Sequence, residues 1–355
     1  MLRLSAGWRS GPVLRVLSAL SLSGVVAVAA AELVLRLLGL APVNGVATVT
    51  EREFARLPGI LAPRQHLLDR RKPSLPHWVT TDSLGFRGPD FPRLKPPGEF
   101  RMLLTGDSFI YGDFVDDAET LPAQLERTLS ARCRGVRVIN AGLGGATITD
   151  EVELVQRALP LTPDLVVVVF SENDVTDLGQ TPMWTLLAAN RRAKSRFPLS
   201  LVYPVLRHTA LWNLGLEVAG KLRAPREMGA VTLDPSTHDP APILRLRDLY
   251  RRALERLRDT LTAHRIPLAV AAYPSHLTVS GSQTAEQVRW IASLAEAEGI
   301  TAFDLLAPLR DSGLPTTRLY LLPYDGHPSR VGYDLAAAYL ADRLPQTKLL
   351  SASCH

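Results

Sequence analysis

The sequence predicts an α/β protein built on a parallel sheet with helices on both faces. Five short, almost wholly apolar runs lie between residues 101 and 305, amphipathic helical patterns separate them, and reactive or turn-forming residues come directly after several of the runs. The runs are Arg101–Thr105, Val136–Ala141, Leu165–Phe170, Leu268–Tyr273 and Thr301–Leu305. Each is four to seven residues long and apolar nearly throughout, as strands covered on both faces must be. Helical periodicity occupies residues 119–130, 149–158, 243–264, 283–298 and 330–344. Strands alternating with helices form a parallel sheet, because each return to the same sheet edge needs a crossover.

The elements divide the chain into three parts. Val16 to Ala31 is a stretch of sixteen uncharged, mostly apolar residues, preceded by Arg3, Arg9 and Arg15 and followed by Glu32. Sixteen is short of the ~20 residues that span a bilayer, although Arg15 can snorkel to one side. Ala29-Ala30-Ala31 would also suit signal peptidase. Either reading exports the rest of the chain, since the arginines stay inside. The apolar pattern resumes at Leu33-Val34-Leu35 and Leu37-Leu38, which favours a retained signal-anchor over residues 1–43 and an extracytoplasmic domain; cleavage would make the protein secreted. Residues 44–98 carry many prolines, among them Pro42 just before and Pro63, Pro73, Pro76 and Pro89 within, and are expected to run over the surface as a lead-in. Residues 99–350 hold the alternating pattern. An insert at about 175–242 is too long for a plain crossover and contains Trp184, Trp212 and the basic cluster Arg191, Arg192, Lys194, Arg196. A lid, a carbohydrate-contacting cap and a helical insertion with one solvated face all fit it.

Composition excludes several classes. Hydrophobic residues at 46% and charged residues at 21% describe a globular chain. The net charge of +5 owes three charges to the N-terminal arginines, so the remainder is nearly balanced and carries no nucleic-acid footprint. The two cysteines, Cys133 and Cys354, stand in no metal-binding spacing. A disulfide between them would need an oxidising compartment, and Cys354 stands in the C-terminal tail, so the pair is expected to stay unbridged.

In open α/β sheets the ligand site forms at the carboxyl ends of the strands. There the sequence places Gly106-Asp107-Ser108, then Asn140-Ala141-Gly142-Leu143-Gly144-Gly145, then Ser171-Glu172-Asn173-Asp174; Asp325-Gly326-His327 precedes the last helix. Singly, Gly-Asp-Ser is turn chemistry, Asn-Asp caps helices, and a histidine beside proline is ordinarily inert. Jointly they answer the needs of acyl transfer. Ser108 supplies a hydroxyl nucleophile, His327 a base, and Asp325 a carboxylate to fix the imidazole tautomer. The Ser108 and Gly145 N–H groups and the Asn173 amide are oxyanion donors, each worth roughly 3–4 kcal/mol in a dry site. Asp107 and Asp174 are expected to be structural.

These residues resemble the four blocks of the SGNH hydrolases, also called the GDSL esterase/lipase superfamily. Ser108, Gly145, Asn173 and His327 match its four named residues over about residues 99–345. Gly85-Phe86-Arg87-Gly88 is similar to a segment found before the first block in anchored bacterial members. The resemblance implies a three-layer α/β/α sandwich with a flavodoxin-like, five-stranded parallel sheet, and ester hydrolysis or acyl transfer without metal or organic cofactor. The sequence departs from the family pattern at three positions. Phe109 replaces leucine, Ser171 replaces glycine, and the position three before the histidine is Tyr324, with Asp325 at minus two. The shorter spacing occurs in relatives that acetylate polysaccharides. The resemblance admits three functions: an esterase acting on small acyl or O-acetyl esters, including those on glycans; an O-acetyltransferase using the same Ser108 acyl-enzyme; and a non-catalytic glycan-binding relative. The partners expected are the ester substrate and, through the N-terminal segment, a membrane.

Overall fold

A computed structural model of the chain describes residues 12–39, 46–72, 74–227 and 241–350. Strands are β1 (His66–Asp69), β2 (His77–Thr80), β3 (Phe100–Gly106), β4 (Val136–Gly142), β5 (Leu165–Ser171), β6 (Leu268–Tyr273) and β7 (Thr301–Asp304). The helices used below are α1 (Pro12–Leu38), α2 (Ser108–Tyr111), α3 (Leu121–Ser130), α4 (Ile148–Ala158), α5 (Met183–Ser195), α6 (Leu199–Leu206), α7 (Ala210–Glu227), α8 (Ala241–Ala263), α9 (Glu286–Ala297) and α10 (Arg330–Arg343).

The central sheet is β4-β3-β5-β6-β7, every neighbouring pair parallel. Among these five strands the first and second in sequence exchange places at one edge, which is the flavodoxin-like order. Alternating side chains of each strand enter opposite cores. Leu103, Ile139, Val166, Val168 and Val270 pack with α4, α8 and α9 on one face. Met102, Leu104, Val167, Val169 and Ala271 pack with α3 and α10 on the other. Burial on both faces explains why these strands read as continuous apolar runs rather than alternating ones. The chain is thus a three-layer α/β/α sandwich.

Two features depart from expectation. The lead-in is not confined to the surface: β1 and β2 form an antiparallel hairpin, and Ile60, Leu84, Phe86 and Phe91 join the core. Its organiser is Arg87, only 3% exposed. The guanidinium donates to the carbonyl oxygens of Tyr111 (3.0 Å), Gly112 (2.7 Å), Val115 (2.6 Å) and Trp78 (3.2 Å) and pairs with Asp117 at 2.8 Å. A fixed fork of donors suits such a cluster of acceptors. Cys133, expected to be unbridged, is disulfide-bonded. The other cysteine, Cys354, lies outside the described residues.

Among the described residues one helix is long and apolar enough to cross a membrane. Its span Arg15–Leu38 has 24 residues and a mean hydropathy of 1.9. At 1.5 Å per residue that is roughly 36 Å, enough for a ~30 Å hydrocarbon layer. The helix passes Ala29-Ala30-Ala31 and Glu32 without a break.

Candidate active site

Ser108 is the first residue of α2, a single helical turn entered directly from β3. Asp107 caps it: one carboxylate oxygen accepts from Phe109 N at 2.8 Å. Gly106 is required by space. A Cβ there would stand 2.9 Å from Val169 O and 2.7 Å from the Ile110 side chain, because β3 lies between its neighbours as the turn starts. The serine is therefore lifted off the end of the sheet by a tight strand-to-helix turn, its side chain only partly covered.

The structure brings Ser108, His327 and Asp325 together across 219 residues of sequence. Ser108 Oγ and His327 Nε2 are 2.8 Å apart. His327 Nδ1 bonds Asp325 Oδ1, which also accepts from His327 N at 2.8 Å. The minus-two spacing therefore suffices: one carboxylate oxygen holds both the backbone and the ring of the same histidine. Tyr324, at minus three, turns its side chain to solvent.

Sequence reasoning missed a further partner of Asp325. Lys72, from the lead-in just past β1, bonds the outer oxygen of Asp325. Burial acts to raise the Asp325 pKa, but the bonds from Lys72 and His327 outweigh it and hold the carboxyl below its ordinary range. The neighbouring Arg71 pairs with Asp69 at 2.7 Å and with Asp113 at 2.8 Å, which fixes the lead-in against the loop after α2. No local pattern could have announced Lys72, since it lies 253 residues from its partner.

That loop also carries Phe114, whose φ of 67° is in the left-handed region. Such a conformation costs a bulky residue about 1–3 kcal/mol and persists only where surroundings impose it. Here Arg87 holds the carbonyls on either side, of Gly112 and Val115. The result is a Phe114 ring edge-on to His327 with centroids 5.4 Å apart, while Phe109 flanks the imidazole at the same distance.

The structure places the three expected oxyanion donors unequally. Neither the Ser108 N–H nor the Gly145 N–H has a hydrogen-bond partner among the described residues. Gly145 has φ of 73°, and a Cβ there would meet the Met183 methyl at 2.9 Å. Asn173, by contrast, commits its amide to Asp107 at 3.2 Å and Asp177 at 2.8 Å. An oxyanion would have to take the place of Asp177.

Beneath the turn lies a buried acidic cluster. Ser171, standing where the family pattern has glycine, points away from the opening: its Oγ is 2.8 Å from an oxygen of each of Asp107 and Asp174. One hydroxyl proton is shared between two carboxyl groups, an arrangement that favours a proton on one of the acids. Burial, reinforced by the charges of Asp107 and Glu151, pushes Asp174 well above the carboxylate range. Burial does the same to Glu151, with Asp107 and Asp150 adding to it and only the Thr105 hydroxyl acting against it. Among the described residues no group of three or more potential ligands is placed to hold a metal ion.

Comparison with known proteins finds distant structural likenesses and one family. Similar solved structures include a lipase/acylhydrolase from Enterococcus faecalis, at 17% identity, 71% of this chain, 100% of that chain and a TM-score of 0.41. Another is a catalytic mutant of the acetylxylan esterase Axe2 from Geobacillus stearothermophilus, at 17% identity, 73% and 100% coverage and a TM-score of 0.41. No curated protein matches the chain. The profile of one family matches residues 104–335, from the end of β3 to the last helix. The chain belongs to the GDSL-like lipase/acylhydrolase family, and is an ester-directed hydrolase by that membership.

Proposed function

We propose that the protein hydrolyses small acyl esters, O-acetyl groups on glycans included, through an acyl-enzyme on Ser108. The observation that carries the reading is the continuous contact from Ser108 Oγ through His327 to Asp325, beside two unpartnered N–H groups. As Ser108 Oγ attacks the ester carbon, its proton passes to His327 Nε2 and Asp325 supports the imidazolium through Nδ1. The negative oxygen is received by the Ser108 and Gly145 N–H groups, joined by Asn173 once it exchanges Asp177. The carbon–oxygen bond to the alcohol breaks and His327 returns the proton to the leaving oxygen. Water, deprotonated by His327, then releases the acid and regenerates Ser108. The Met183 methyl beside Gly145 and the Phe114 ring beside His327 crowd the opening and favour short acyl groups.

A sugar hydroxyl resolving the same intermediate would make the protein an O-acetyltransferase, a reading that the two-residue Asp325–His327 spacing keeps alongside the first. We further infer that α1 anchors the protein with its main domain outside the cytoplasm. The length and hydropathy of α1 support this, as does a disulfide at Cys133, which oxidising compartments favour.

The test is turnover of p-nitrophenyl acetate by the full chain and by Ser108→Ala and His327→Ala. Each variant should lose on the order of 10⁴-fold or more in kcat. Wild-type turnover unaffected by both substitutions would remove the reading. With an acetyl donor and an unacetylated glycan together, acetyl accumulating on glycan faster than free acetate would favour transfer.

A further inference from the structure

The insert remains unassigned by this chemistry. It starts near the site, where Met183 abuts Gly145, and its corner around residues 208–211 lies against α1. The Glu32 carboxylate accepts from Ala210 N at 2.9 Å and Leu211 N at 3.0 Å, capping α7. Arg36 pairs with Glu32 at 2.7 Å and donates to His208 O at 2.8 Å. These bonds fix the corner between α6 and α7 at the outer end of the apolar helix. From there Leu206, Leu211 and Trp212 face α1 as far down as Ser21, around a cavity of about 770 Å³. The corner thus reaches past Glu32 toward the apolar middle of α1.

The two sides of α6 differ. Tyr203 turns inward, under the Lys194 ammonium at 4.8 Å and against Trp212 with centroids 6.4 Å apart. On the other side Phe197, Leu201 and Val205 are 80%, 70% and 70% exposed. Leu201 and Val205, four residues apart, share one face of α6, and Phe197 stands exposed in the turn before it. Arg192 and Arg196, both exposed, precede these residues. An exposed apolar face beside exposed arginines suits contact with a membrane interface, where apolar groups enter the acyl boundary and cations meet phosphates. The partner is identified by continuity, because the same corner is bonded to the one helix, among the described residues, able to span a bilayer.

We propose that Phe197, Leu201 and Val205 form a second membrane contact, inserted at the surface of an anionic bilayer that α1 spans, with Arg192 and Arg196 at the phosphate groups. This rests on the anchor reading above. It also sets the height of the active site. Thirteen residues of α5 separate Gly145 from this apolar face, so the oxyanion glycine lies within roughly 25 Å of the lipid surface. The substrate class is then esters presented at the membrane surface rather than on distant polymer.

The test uses the full chain in nanodiscs of phosphatidylcholine and phosphatidylglycerol, with the photocrosslinker p-benzoylphenylalanine replacing Leu201, Val25 in α1, or Leu314 beyond the opposite sheet edge. Lipid adducts are counted by mass spectrometry. Positions 25 and 201 should both yield adducts, at about tenfold or more over position 314. Omitting phosphatidylglycerol should cut the yield at 201 several-fold and leave that at 25 unchanged. Adducts at 25 with a yield at 201 no higher than at 314, or a protein–protein adduct at 201, would overturn the inference while leaving the anchor intact. No adduct at 25 would sink the anchor reading and this inference with it.

Discussion

Replacing Lys72 by methionine tests whether the lead-in takes part in the proposed chemistry. Methionine keeps most of the apolar stem and removes only the ammonium that bonds Asp325. One carboxylate separates that ammonium from the imidazole, a distance on the order of 6 Å. Lys72 is about a third exposed (32%) and Asp325 14%, so an effective dielectric of about 40 is appropriate and the repulsion between lysine and imidazolium is about 1.4 kcal/mol. Loss of the cation favours the protonated ring, which cannot accept the Ser108 proton. The acidic limb of the kcat/KM profile should therefore move up by about one pH unit, a loss of about tenfold along that limb and little on the plateau. Lys72→Arg should restore the wild-type limb. The assay is p-nitrophenyl acetate hydrolysis from pH 5 to 9 with circular dichroism as a folding control. A Lys72→Met profile that overlays wild type, or whose limb moves down, refutes the electrostatic argument.

Other outcomes depend on the same contacts. Asn173→Ala should lower kcat by about 10²-fold with little change in KM, as the loss of one oxyanion donor does; an unchanged kcat would leave the oxyanion to the two backbone N–H groups. Arg87→Met leaves Asp117 and four carbonyls without their donor and should destabilise by about 3–5 kcal/mol, a fall in Tm on the order of 10 °C; calorimetry showing no fall would contradict the role given to Arg87. Glu151 binds its proton more tightly folded than unfolded, so its contribution is intact below the unfolded carboxyl pKa and is lost as pH rises, at about 1.4 kcal/mol per pH unit within that window. Glu151→Gln should then lose less Tm than wild type between pH 5 and pH 8, and an equal or larger loss would show that Glu151 is not the group responsible.

The sheet was legible because its strands are buried on both sides. β6 spans the residues read from the sequence, and the other four strands differ by single residues at their ends. Ser108, Gly145, Asn173 and His327 could be found because strand ends in such a sheet converge on one place. Lys72 could not: it acts through a partner 253 residues away, from a proline-rich stretch whose short strands carry no clear periodicity. Arg87 stood in a segment marked by resemblance, but its cluster of carbonyl partners was not legible there. Glu151 was equally hidden. On the sequence it is one more acid in an amphipathic helix, and only packing shows that α4 turns it into the core. The apolar face of α6 was obscured for the opposite reason, since the sequence contains apolar residues there but not the fact that none of the described residues covers them.

The proposal that Ser108 carries the acyl group is tested most directly by trapping it. Wild-type protein mixed with a short-acyl ester, quenched in acid and digested, should show the acyl mass on the peptide containing Ser108, and Ser108→Ala should show neither adduct nor turnover. Turnover that persists in Ser108→Ala, or an acyl group found on another residue at the rate of turnover, would contradict the account.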